Sequence, residues 1–104
     1  MKIEWTLEAK NNLCEIEDYL FDVFGYQTVE GFYTLVDKAL EILSAGNIDF
    51  ERYENTDLRK YLLTEYNYMI YKRLEDKIVV IAVINNHRSP KDNYQKITEL
   101  KKSN

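Results

Sequence analysis

Residues Ile78 to Ile84 read Ile-Val-Val-Ile-Ala-Val-Ile, an unbroken apolar run bounded by Lys77 and Asn85. A strand that packs on one side only alternates apolar and polar residues. This one is apolar at both parities, so it has to be central and covered on both faces. Simple alternation puts Ile78, Val80, Ala82 and Ile84 on one face and Val79, Ile81 and Val83 on the other. The run is far shorter than the roughly 20 residues a membrane helix needs. It therefore fixes the middle of a sheet, and the rest of the chain must supply two covers for it.

The upstream sequence supplies one cover. Ile3 and Trp5 alternate with Lys2 and Glu4, a short strand, and Thr6 is placed to cap a helix with Glu8 in its first turn. Ala9, Leu13, Ile16, Leu20 and Val23 follow at spacings of four, three, four and three, one helical stripe that Gly25 ends. A second helix is predicted over about 28–43, with Val29, Phe32, Val36, Ala39, Leu40 and Leu43 as its stripe and Leu35 and Ile42 widening it. The link of about three residues predicts an antiparallel helix hairpin. Residues 44–57 form a connection that Phe50 and Tyr53 pin to the body. Strands at 58–63 and 68–74, with turns at 64–67 and 75–77, complete a three-stranded antiparallel meander with Ile78–Ile84. The fold class is α+β: a short N-terminal strand, a helix hairpin, then the meander. One domain spans 1–94, with a polar tail at 95–104. Two helices bury only one face of the sheet, so a loop or a partner chain is expected on the other.

Charge divides along the chain. Residues 1–57 hold 13 acidic and 4 basic side chains, net −9, and residues 58–104 hold 5 acidic and 10 basic, net +5, within an overall −4. That balance argues against a general nucleic-acid binder, while leaving a basic second half suited to an anionic partner. Cys14 stands alone, which excludes an intrachain disulfide; it is expected to be a filler thiol with no metal or nucleophile role. No signal-peptide pattern opens the sequence, so a cytoplasmic protein without membrane contact is expected.

Several short segments carry a resemblance to a known family. Ile3-Glu4-Trp5-Thr6 with Glu8-Ala9, then Asp57-Leu58-Arg59-Lys60, then Asn67-Tyr68-Met69-Ile70-Tyr71-Lys72, and finally Ile78–Ile84 followed by Asn86-His87-Arg88-Ser89-Pro90 come in the order found in the RelE/ParE toxins. The chain resembles that family over residues 2–94. The resemblance implies the toxin of a type II toxin–antitoxin module, held inactive by a cognate antitoxin in a hetero-oligomer and using no cofactor or metal. One branch cuts messenger RNA in the ribosome without a metal; the other inhibits DNA gyrase.

The residues bear on that choice. Metal-free RNA cleavage needs a group to activate the 2′-hydroxyl, a proton donor and cations around the phosphorane. The lysine-bearing stretch of the RNA-cutting members falls at Asp49–Asp57, where Arg52 is the one cation among four carboxylates. Their later strand arginine falls at the apolar Leu62 or Leu63. These gaps favour the gyrase-inhibiting type over a ribosome-dependent endoribonuclease; a degenerate, non-toxic antitoxin-binding module is the second alternative. If the chain is an enzyme, the catalytic candidates are His87, Arg88 and Tyr94. Candidates for gripping a target or antitoxin are Arg59, Lys72, Arg73, Arg88 and Lys91 with the apolar strip Val79, Ile81 and Val83. Arg59 equally suits an ion pair within the 49–57 loop, and Phe21, off the main stripe, is expected to tuck into the core.

Overall fold

A computed structural model of the chain describes residues 1–85. The elements run β1 (Lys2–Trp5), α1 (Leu7–Phe24), α2 (Tyr26–Ala45), β2 (Arg59–Leu62), β3 (Asn67–Arg73) and β4 (Lys77–Asn85). They form one four-stranded sheet in the order β1-β4-β3-β2. β2, β3 and β4 are the expected antiparallel meander, and β1 adds to β4 in parallel, with Ile3 opposite Ile78 and Trp5 opposite Val80. The strand that holds the apolar run Ile78–Ile84 is thus internal. The proposed domain end at 94 and the 95–104 tail lie outside the described residues.

Thr6 starts α1 as its sequence position requires: its hydroxyl accepts from the Ala9 N–H at 3.0 Å. Gly25 alone joins the helices, a tighter link than the predicted three residues. Its φ of 91° is open to glycine and strained for other residues, and its N–H donates back to Leu20 and Phe21 carbonyls. α2 ends at Gly46 in the left-handed conformation, the usual glycine stop.

The helices cover one sheet face. Ala9 and Ile16 from α1 and Phe32, Val36, Ala39 and Leu43 from α2 pack on Met69, Tyr71, Ile78, Val80 and Val83. The α1 stripe stops at Leu20, which is partly buried. Val23 and Phe24 are more than half exposed, because the hairpin tip runs past the end of the sheet. Phe21 is 57% exposed, so the expectation that it joins the core is corrected. Cys14 is exposed too, not a buried filler.

The other face carries a smaller cluster of Tyr53, Leu58, Tyr68, Ile70, Ala82 and Ile84, with Ile81 packed against it. Tyr53 belongs to the connection before β2, so a loop supplies part of the second cover.

Simple alternation along β4 does not hold. Pairing with β3 slips between Ile70 and Tyr71: Ile70 faces Ala82 while Tyr71 faces Val80, leaving Ile81 as an extra residue. A bulge of this kind reverses the parity of everything beyond it. Val83 therefore belongs to the helix-side core, and Ala82 and Ile84 take the outer face. The predicted outer strip of Val79, Ile81 and Val83 is corrected to Val79, Ile81, Ala82 and Ile84.

Candidate functional site

The backbone of β4 beyond the bulge creates a local problem. β1 ends opposite Val80, so on that side Ile81 and Val83 have no strand to pair with. The start of α1 fills the gap. Thr6 N–H donates to the Val80 carbonyl at 3.1 Å, the Thr6 hydroxyl donates to the Ile81 carbonyl at 2.6 Å, and the buried Asn12 accepts from the Val83 N–H at 2.9 Å. Asn12 Nδ2 in turn donates to Glu8 Oε1 at 3.1 Å. This network fixes the start of α1 on the β4 edge just beyond the end of β1.

The cations predicted to contact a partner divide between the two faces. Arg59 and Arg73 flank Tyr71 on the helix side at the β2–β3 end. Arg59 Nη1 donates to the Phe50 carbonyl at 3.1 Å, and Arg73 pairs with Asp49 in a close ion pair. The Tyr71 hydroxyl accepts from the Phe50 N–H at 3.3 Å. Burial pushes the Tyr71 phenol above its usual value; that hydrogen bond and the two guanidinium groups pull the other way. Phe50 also packs edge-on against Tyr61, with ring centroids 4.8 Å apart. Arg59 and Arg73 thus tie the 46–58 connection to the sheet, Arg59 through a backbone carbonyl of that loop and Arg73 through the Asp49 carboxylate.

Lys60 and Lys72 lie on the outer face with Lys77 of β4. Lys60 Nζ stands 4.5 Å over the Tyr68 ring and 3.9 Å from Glu51, Lys72 is 3.7 Å from Asp57, and Lys77 is 3.2 Å from Glu4. Tyr53 and Tyr68 lie beside each other with centroids 6.3 Å apart. Val79 and Ile81 are half-buried, and Leu62 is 59% exposed on the same face. The outer face thus leaves Leu62 on β2 and Ile81 and Val79 on β4 accessible, among lysines that carboxylates already accompany.

Glu51 and Asp57 come from the same connection as Asp49, the partner of Arg73 on the helix side. Each meets a different sheet cation: Arg73, Lys60 and Lys72. The sequence shows the acids and the cations but not the pairing, since it depends on how the connection folds back. Asn12 was the polar residue most open to discovery. It interrupts the Ala9–Ile16 stripe at a core position, where a polar side chain requires a buried partner. His87, Arg88, Lys91 and Tyr94 lie outside the described residues. Among the described residues no cluster of His, Cys, Asp or Glu could hold a metal ion, and no helix is long and apolar enough to cross a membrane.

No protein-family model matches the chain, and no curated protein matches it. Among solved structures, a chain from the chromosomal ParDE TA system of P. aeruginosa is similar, with a TM-score of 0.69 at 16% identity over 82% of this chain and 95% of that one. At that identity the likeness shows the fold: strand, helix hairpin and three-stranded meander in this chain follow the architecture of the ParDE-system chain.

Proposed function

We propose that the protein is the toxin of a toxin–antitoxin module, a growth inhibitor of the gyrase-inhibiting type that a cognate antitoxin neutralises. The ParDE-like fold supports the module. The observation that carries the choice of target is the pairing of Asp49, Glu51 and Asp57 with Arg73, Lys60 and Lys72. Cleaving RNA without a metal calls for unopposed cations around the phosphorane. Here the connection sets a carboxylate beside three of them, and Leu62 and Leu63 leave the neighbouring positions apolar.

The antitoxin surface proposed is the outer sheet face. An amphipathic, acidic segment would lay apolar side chains along Leu62, Ile81 and Val79 and offer its carboxylates to Lys60, Lys72 and Lys77 in place of the internal ones. Arg59 lies across the sheet and serves that surface only by holding the connection. Arg88 and Lys91 remain candidates for the target or the antitoxin, and His87, Arg88 and Tyr94 for catalysis if the protein is a nuclease.

Induction in a bacterial host, with plasmid topology and transcript ends followed together, tests the target. Loss of negative supercoiling without new transcript ends is expected. New ends at codon boundaries with normal topology would mean a ribosome-dependent endoribonuclease. Neither change would leave a non-toxic antitoxin-binding module.

A further inference from the structure

The two helices present one sign of charge to solvent. From Asn11 to Asp37 the chain has no lysine or arginine. Two adjoining hollows of about 420 Å³ each lie between α1 and α2, and because Glu17, Tyr26 and Val29 line both, they form one continuous groove. Five carboxylates stand along it: Glu17, Asp18 and Asp22 from α1, and Glu30 and Asp37 from α2. Among the described residues none of the five has an ion pair, whereas Glu4, Asp49, Glu51 and Asp57 elsewhere each stand beside a lysine or arginine.

The same groove is aromatic. Val29 is buried in its floor and Tyr33 half-buried beside it, while Phe21 and Tyr26 at its tip end are 57% and 64% exposed. The carboxylates act on these phenols. A hydrogen bond to Glu30 raises that of Tyr26, and burial, with Glu17 adding to it, raises that of Tyr33. From Tyr26 to Asp37 the α2 wall runs about three turns, roughly 16 Å. That length matches a short peptide segment.

We propose that this groove docks a basic amphipathic segment of a partner protein. Charge complementarity sets the sign, since lysines or arginines would meet carboxylates that no internal cation accompanies. The same cations could lie against the Phe21 and Tyr26 rings. Apolar side chains of the segment would cover those rings, which a polyamine carrying only charge could not do. A second copy of this chain fits less well, because its sheet cations Lys60, Lys72, Arg73 and Lys77 already stand beside carboxylates. The helices alone line the groove, so it is separate from the outer sheet face and independent of the toxin reading.

The test uses the whole chain, labelled for NMR, and four probes. The first is a capped peptide of about twelve lysines and leucines patterned as an amphipathic helix. The others are its counterpart with glutamate for lysine, its counterpart with serine for leucine, and spermidine. The lysine–leucine peptide is expected to bind about tenfold more tightly than any other probe, shifting the Phe21, Tyr26 and Tyr33 resonances. Asp22→Asn with Glu30→Gln, both exposed, should weaken it about three- to fivefold, and Glu75→Gln in the β3–β4 turn should not. No binding, shifts centred on the sheet, or full affinity in the double variant would remove the peptide from the groove. Equal affinity for the glutamate peptide would leave only an apolar patch, for the serine peptide only a diffuse acidic surface, and for spermidine a polyamine site. A doubled mass in solution with Phe21 and Tyr26 shielded would make the occupant a second copy. Shifts at Tyr26 on changing Lys96, Lys101 and Lys102 to serine, with no peptide present, would make it the chain's own end. Each of these results overturns the proposal.

Discussion

Asn12 on α1 accepts the backbone N–H of Val83 on β4 at 2.9 Å, a hydrogen bond that spans 71 residues of sequence. It satisfies a strand donor at the point where β1 has run out, just beyond the bulge that turns Val83 toward the helices. Replacing Asn12 by leucine keeps the branched four-atom skeleton and removes the acceptor, leaving a buried N–H unpaired. The expected loss is about 1–3 kcal/mol. Urea unfolding would measure it, and amide exchange at Val83 should accelerate more than at Ile78, whose strand pairing is untouched.

Packing on the two sides of α1 should differ sharply. Ile16 is 4% exposed in the main core, whereas Phe21 is largely in water. Ile16→Ala is expected to cost on the order of 2–5 kcal/mol, and Phe21→Ala to stay within about 0.5 kcal/mol. Comparable midpoint shifts for the two variants would contradict the placement of α1.

Much of this architecture is legible in the sequence because it rests on periodicity. The internal place of β4 follows from one run that is apolar at both parities, and the helices from stripes such as Val29-Phe32-Val36 and Ala9-Ile16; the parallel pairing of β1 with β4 appears only in the structure. The departures have local causes. Val83 changes face because one extra residue, Ile81, enters the ladder, and no alternation pattern signals a single bulge. Val23 continues the helical period and is still exposed, because period describes a helix and not how far the sheet extends beneath it. The pairing of Asp49, Glu51 and Asp57 with three cations depends on loop folding.

The alkaline limb of stability should depend on Tyr71. Its phenol titrates above the ordinary value of 10.0 in the folded chain. The folded state therefore holds the proton more firmly than the unfolded state. The contribution is complete below about pH 10 and declines as pH rises toward and through the folded value. Tyr71→Phe should cost about 0.5–1.5 kcal/mol at neutral pH through the lost bond from Phe50 N–H, and should flatten the loss above pH 10. Parallel pH profiles for the two proteins would place that loss in other groups.

Contact with an acidic amphipathic antitoxin should protect the outer face from hydrogen exchange. Slowed exchange is expected in Arg59–Leu62 and around Val79 and Ile81, where the segment would add contacts. Protection confined to the helix hairpin would remove the outer face from the interface. Asp57→Asn, which frees Lys72 from its internal carboxylate, should tighten antitoxin binding about two- to fivefold, the scale of one exposed ion pair.

Viable counts after induction in a bacterial host, with the protein confirmed as folded in the lysate, bear most directly on the proposed function. Counts are expected to fall on induction of this chain alone and to recover on co-expression of its antitoxin, sought as a short neighbouring reading frame with a DNA-binding start and an acidic amphipathic end. Undiminished counts with folded protein present would contradict a toxin.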